Sequence, residues 1–409
     1  MTLSEPMTDV QAAITALWQP EALPNPYPAY ERVRALGTGG ALHVVHPEWQ
    51  GTFITGHAPC SSVLRSPSAM SGSGMPPEDA PASEGVQLLR SMMLFHNGMS
   101  HQRLRGLVSA AFTPRVVEEQ RDLVRSLLSG LLDNLAARGG GDIVSGLSNP
   151  LPARVIMGML GLHGDDEARF VRWSQSVADM LAGAENSPEL MARIDADARE
   201  MRTFFKDLAD ELRARPQPGL LSALAAVQDG GERLSGDELL SNAVLLLTAG
   251  HETTSNLIPG GLLELSRQPQ AWAALVATPR DPNVADELLR VVSPVQFDGR
   301  GLAAETTVGG VILPAGSFAQ LMLGAANRDP DVFPDPNRID WERPNSARHL
   351  AFAAGPHYCL GASLARLEIS ETFAALATRF PDLRVTDTDP PFKPNPVLRG
   401  VRRLNVALA

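Results

Sequence analysis

The residue with the widest chemical reach in this chain is Cys359. It lies in HLAFAAGPHYCLG (residues 349–361), where a loop runs into a periodic segment. Leu360, Leu364, Leu367, Ile369, Phe373, Leu376 and Phe380 recur at helical intervals, which predicts an amphipathic helix after the loop. A thiol at a helix start meets backbone N–H groups and the positive end of the macrodipole. Both favour thiolate, the form that ligates metals. Small residues, Gly355 and Gly361, would let a flat group come close to the backbone. The plainer alternative is a buried free cysteine that acts as a small hydrophobe.

A second chemical signal is an acid beside an alcohol. Ser235 and Glu238 have capping-box spacing, and the pattern they open runs to about Arg267, before Pro269. At 1.5 Å per residue that helix spans roughly 50 Å. Residues 242–250 (NAVLLLTAG) are apolar almost all round, as in a buried helix. Gly250, His251, Glu252, Thr253 and Thr254 follow within it, and Pro259 removes one backbone donor further on. A mid-helix glycine costs about 1 kcal/mol, and buried ionisable groups cost more unless they are satisfied. One reading is that Gly250 clears space for a ligand while a threonine hydroxyl passes protons beside it. The other is a polar seam in which Thr253 bonds the carbonyl four residues back.

A third pattern is Glu287-Leu288-Leu289-Arg290, an acid and a base on one helical face. Asp281 and Pro282 predict that helix's start and Pro294 its end. Alone, such a pair is most simply a solvated one contributing under about 1 kcal/mol.

Together the three patterns carry a resemblance. The Phe-x-x-Gly-x-x-x-Cys-x-Gly spacing of Phe352–Gly361 resembles the heme-binding loop of cytochrome P450 enzymes. AGHETT (249–254) and then ELLR (287–290) stand upstream in that family's order. The similarity covers nearly the whole chain and is closest to the soluble bacterial branch. It implies a mainly α fold with small β-sheets, one domain over residues 1–409 and no separate reductase domain. It implies Cys359 as axial ligand of a heme b iron, with Ala249, Gly250, Phe352, Gly355 and Gly361 against the heme. His101 and Arg105 (in HQRLR, followed by AFTP at 111–114), Arg300 (in QFDGR) and His357 would pair with the propionates. Glu252 and Thr253 would serve proton delivery during oxygen activation. Arg343 (in IDWER) would join Glu287 and Arg290 in a structural network. Two positions depart from the family's habit: Ala353 replaces a frequent glycine, and NGMS (97–100) replaces a frequent acidic Pro-Pro segment.

The implied reaction is hydroxylation or epoxidation of a small organic substrate. Candidate pocket segments are 91–95, 177–187, 244–251, 295–297 and 395–397. Within them Leu94, Phe95, Val244, Leu247, Val295, Phe297 and Val397 suggest an apolar ligand such as a terpenoid, fatty acid or polyketide, although about half would simply pack the core. No flavin- or nicotinamide-binding fingerprint occurs, so a ferredoxin or flavodoxin with its reductase is the expected electron source. Arg366 and Arg103 are candidate contacts for it. A peroxide-driven peroxygenase and a non-catalytic heme or ligand-binding protein are the alternatives.

The elements that must position these residues come from a chain of 409 residues, 44% hydrophobic and 20% charged. Its net charge of −11 weighs against a general nucleic-acid binder. Two cysteines, Cys60 and Cys359, build no disulfide framework and favour a reducing cytoplasm. The N-terminal sequence resembles neither a signal peptide nor an anchor, and no apolar run approaches the roughly 20 residues of a membrane span. A short helix at Ala29–Leu36 follows PNPYP (24–28), then a hairpin of residues 41–45 and 51–55 around Pro47, then an irregular loop over 70–84. Helical patterns fill about 100–290, broken at Gly139–Gly141 and Pro216–Pro218. Strands are expected at 307–313, 317–323, 383–386 and 404–408. With no repeat and no linker, one intertwined, mostly helical domain is expected.

Overall fold

The computed structural model of the chain describes residues 5–46, 49–73, 75–76, 80–109, 112–162, 166–181, 187–217, 219–226, 228–229 and 232–408. The hairpin turn at Pro47, Ala111, Pro218, residues 74 and 77–79 of the irregular loop, and residues 182–186 of one candidate pocket segment lie outside them.

The fold is organised around a helix from Gly236 to Ser266. Its start is the capping box read from the sequence. The Glu238 N–H donates to Ser235 Oγ (3.1 Å), and Glu238 Oε2 accepts from the Ser235 N–H (2.9 Å). Pro259 lies inside the helix, which continues past it. Helices Pro150–Leu160, Glu167–Leu181, Pro188–Ala214, Val284–Val292 and Ala362–Arg379 all pack on it. With neighbours on every side, nearly every residue from Leu239 to Leu265 is buried, as an all-round apolar sequence requires.

One sheet of five strands runs Ala41–His46, Trp49–Ile54, Phe318–Met322, Phe297–Leu302 and Ala69–Met70 in spatial order. Its one parallel pairing joins Thr52 to Ala319, so early and late chain share the sheet. A second sheet sets Asn405–Ala407 between Arg384–Val385 and Gly140–Asp142. Among the described residues no helix is long and apolar enough to cross a membrane.

Several expectations need correction. The strand expected over 307–313 is a hairpin, Thr306–Val308 with Val311–Leu313. Gly309 (φ 57°) and Gly310 (φ 80°) make its turn, which left-handed backbone permits. Asp281 does not cap the ELLR helix: its Oδ1 accepts from the Asn283 N–H (2.8 Å) in a turn, and the helix begins at Val284. The early helix begins at Tyr27 rather than Ala29, with Pro28 in its first turn. Helix Ala362–Arg379 is not amphipathic. It is enclosed by other helices on several sides, and Glu368, Glu371 and Thr372 are buried along with its apolar residues.

Candidate functional site

Cys359 stands three residues before the start of that last helix, in a loop closed on itself. The Cys359 N–H donates to the Phe352 carbonyl (3.0 Å) and the Tyr358 N–H to that of Gly355 (3.1 Å). Gly355 (φ 70°) is required here, because a Cβ would lie 2.3 Å from the Leu64 carbonyl oxygen. Ala353 adopts φ 55° where a glycine would be unstrained, at a cost of roughly 1 kcal/mol. Burial pushes the Cys359 thiol above its ordinary value. The Gly361 amide and the charges of Arg105 and Arg366 pull the other way. The helix-start argument therefore named real contributions but not the larger one, which is desolvation.

Close to the sulfur the fold gathers cations and imidazoles. Arg105 Nη2 donates to the Tyr358 carbonyl (2.7 Å), and the His101 and His357 rings lie 4.1 Å apart. Burial, then the nearness of His101, Arg300 and Arg105, push His357 down to about 3. Burial, Arg105 and His96 lower His101 in the same way. Arg300 is buried and bonds Asp298 and the Gly299 carbonyl. Two imidazoles are held neutral by burial and by the Arg105 charge, with Arg300 also acting on His357. A group carrying carboxylates there would offset those charges, so the residues fit a heme with its two propionates.

The central helix is interrupted in its burial where the sequence placed its chemistry. Ala249 is exposed, and Gly250 and Thr253 are partly so, in an otherwise covered stretch. Thr253 Oγ1 donates to the Ala249 carbonyl (2.9 Å), the bond the polar-seam reading expects. The polar-seam bond is thus present, on a strip of the helix that its neighbours leave uncovered. A Cβ at Gly250 would meet Ile156 at 3.4 Å, an ordinary packing distance, so the neighbouring helix does not by itself require a glycine there. Glu252 is 3% exposed at its side chain and is paired with Lys393, a partner that nothing in the sequence pattern marked. His251 is buried, bonds Ser174 Oγ through Nδ1 (3.0 Å), and is held down to about 4, first by burial and then by Lys393.

Glu287, Arg290 and Arg343 are brought together, and the simple surface pair is overturned. Glu287 and Arg290 side chains are 0% exposed and Arg343 is 4%. Arg290 grips both Glu287 oxygens (2.8 and 2.7 Å), and Arg343 Nε adds a bond to Oε1 (3.0 Å). The spare guanidinium donors go to carbonyls of Asn327, Pro334, Pro336 and Arg338. These bonds pin the segment before the cysteine loop to the helix Val284–Val292, which makes the cluster a frame and not a reacting group.

The candidate pocket residues divide. Val244 (0%) and Leu247 (1%) are core, with no surface left for a ligand. Phe297 is also core, stacked on Trp18 (5.1 Å) and edge-on to Tyr30 (5.6 Å). Leu94, Phe95, Val295 and Val397 keep free surface. The two candidate docking arginines are engaged within the chain: Arg366 with Asp286 and the face of Phe352, and Arg103 with Glu238.

Comparison with known proteins agrees with this geometry. The cytochrome P450 family model matches residues 282–406. The chain is 36% identical to the cytochrome P450 monooxygenase PikC of Streptomyces venezuelae, over 99% of this chain and 95% of that protein. It is 39% identical to the 6-deoxyerythronolide B hydroxylase of Saccharopolyspora erythraea, over 76% of each. Its fold superposes on P450BioI, solved with an acyl carrier protein bearing hexadec-9Z-enoic acid, with a TM-score of 0.88 at 30% identity (95% and 99% covered). Against the tirandamycin C-bound monooxygenase TamI the TM-score is 0.82 at 32% identity (94% and 98% covered).

Proposed function

From the premise that this chain belongs to the cytochrome P450 family and is a heme-thiolate monooxygenase, we propose that it hydroxylates or epoxidises an apolar small molecule of polyketide or fatty-acyl type. Support for that substrate class comes from the relatives, among them a 6-deoxyerythronolide B hydroxylase and a polyketide biosynthesis P450 of Bacillus subtilis. It also comes from the apolar residues Leu94, Phe95, Val295 and Val397, which retain free surface.

The roles of the chain's own residues follow from their chemistry. Cys359 would hold the iron of heme b through its thiolate, and the bound heme would supply the oxidation chemistry. His101, Arg105, Arg300 and His357 would hold its propionates. Thr253, bonded to the Ala249 carbonyl, offers an oriented hydroxyl on the uncovered strip. Glu252, one residue before it, relays protons toward that strip. Electrons come from a ferredoxin or flavodoxin with its reductase, and the whole of residues 1–409 works as one domain in the cytoplasm. The single domain accords with the sheet that early and late chain share.

The observation that carries the reading is Cys359 beside the Gly361 amide and the Arg105 charge, next to a cluster of groups that wants an anion. The reduced, carbon monoxide-treated protein is expected to show the thiolate-type absorbance, and Cys359→Ser to lose it. A wild-type spectrum without that band would sink the assignment. Screening polyketide lactones and fatty acids for heme absorbance changes then tests the substrate class. If neither series perturbs the heme while other compounds do, that class is wrong.

A further inference from the structure

The contact least foreseen from the sequence is the one on Glu252. Its Oε1 accepts from Lys393 Nζ at 2.7 Å and from Asn256 Nδ2 at 3.0 Å. Lys393 belongs to a C-terminal hairpin whose arms meet where the Lys393 N–H donates to the Gly400 carbonyl (2.9 Å) and Phe392 bridges to Val401. On the other arm, the backbone of Gly400 lies so close to Asn256 that a Cβ would sit 2.0 Å from its Oδ1. One hairpin therefore reaches the carboxylate twice, directly through Lys393 and indirectly by backing the amide that donates to the same oxygen. The hairpin is also stitched to the segment before the five-stranded sheet. Gln296 N–H donates to the Val397 carbonyl (2.8 Å) and Arg399 N–H to that of Pro294 (2.9 Å).

We propose that Lys393 is a positioning residue for Glu252, acting as a cation: it keeps the buried carboxylate ionised and in one orientation next to Thr253. The proposal rests on reading Glu252 as the proton-delivering acid. A carboxylate at 3% exposure needs a compensating charge to stay ionised. Lys393, itself 13% exposed, supplies that charge from the solvent side. No proton leaves Lys393 in this role. It fixes where the acid is and in which form it waits.

The test uses the heme-loaded full chain as wild type, Lys393→Arg, Lys393→Met, Glu252→Gln and the Lys393→Met/Glu252→Gln double variant. Infrared difference spectra against Glu252→Gln at neutral pH isolate the carboxyl band of Glu252. An ionised band is expected in wild type and Lys393→Arg, and a protonated one in Lys393→Met. Turnover is read without added substrate, with a surrogate plant-type ferredoxin and its reductase. The readouts are the solvent isotope effect on NADPH oxidation and the split of consumed dioxygen between hydrogen peroxide and water. Lys393→Met should raise the peroxide-to-water ratio about tenfold, a part of the roughly 100- to 10,000-fold that a positioned acid contributes. Lys393→Arg should stay near wild type.

Three results would overturn the proposal. If Lys393→Arg behaves like Lys393→Met, the ammonium is a proton donor and not a fixed charge. If Lys393→Met keeps an ionised Glu252 and a wild-type split, Lys393 has no such role. If the double variant is worse than Glu252→Gln alone, the lysine acts on something else, and this comparison holds even where Lys393→Met folds poorly. Should Glu252→Gln itself match wild type, the acid has no part in proton delivery and the role of Lys393 falls with it. In the three results above, by contrast, Glu252→Gln stays impaired, so the two failures are told apart by that variant alone.

Discussion

Glu368, on the helix that follows the cysteine loop, offers a sharp test of how burial sets charge here. It is 1% exposed, and among the described residues its Oε2 has no hydrogen-bond partner, nor does Thr372 Oγ1 one turn later. Desolvation pushes its carboxyl from 4.5 up to about 8. The folded chain then keeps this proton until about pH 8, whereas the unfolded chain releases it from about pH 4.5 upward. Between those values the native state binds the extra proton, so stability falls as pH rises through the window. At 1.36 kcal/mol per unit, the ceiling on the loss is about 5 kcal/mol above pH 8 and about 3 kcal/mol at pH 7. Glu368→Gln removes the titration while nearly keeping the shape of the neutral acid. Urea unfolding of both proteins at pH 5, 7 and 9 should give closely similar stabilities at pH 5. The variant should gain steadily on wild type toward pH 9. Parallel pH profiles for the two proteins would refute the reasoning, since they would mean that Glu368 is ionised in the fold.

Other outcomes follow from the same geometry. Glu287→Ala leaves Arg290 and Arg343 buried without their shared carboxylate and should cost about 3–5 kcal/mol, read as a lower urea midpoint for heme release. An unchanged midpoint would show that the backbone carbonyls alone compensate both guanidiniums. Thr253→Ala should divert reducing equivalents to hydrogen peroxide while heme binding stays intact; unaltered coupling to product would remove the hydroxyl from the mechanism. Arg105→Leu deletes one of the cations gathered beside Cys359 and should weaken heme retention, measured as faster transfer to apomyoglobin. Equal transfer rates would take Arg105 out of the propionate set.

The reach of the sequence was uneven, and for physical reasons. Local signals were readable: the Ser235–Glu238 box, the end of a helix before Pro294, and the loop-to-helix junction at Cys359 each depend on a few adjacent residues. Three motifs in order also made the family and its fold legible. Long-range partners were not. Lys393 is 141 positions from Glu252, and no periodicity connects them. Burial misled twice. Glu287 and Arg290 looked like a surface pair because the enclosing segment around residues 334–343 is remote in sequence, and a part-polar last helix looked amphipathic because its several neighbours are remote too. Phe297 shows the same limit: its type fits a pocket, and only packing reveals Trp18 stacked on it.

The C-terminal hairpin has a consequence for how the protein is made. Besides Lys393, it carries Arg399, whose buried guanidinium bonds the carbonyls of Leu23 and Pro24. During vectorial synthesis both the acid on the central helix and the N-terminal segment must wait for residues 393–399, which emerge after the cysteine loop. Emergence of the cysteine loop would therefore leave the central helix and the N-terminal segment still short of partners, and the hairpin behind it would close both at once.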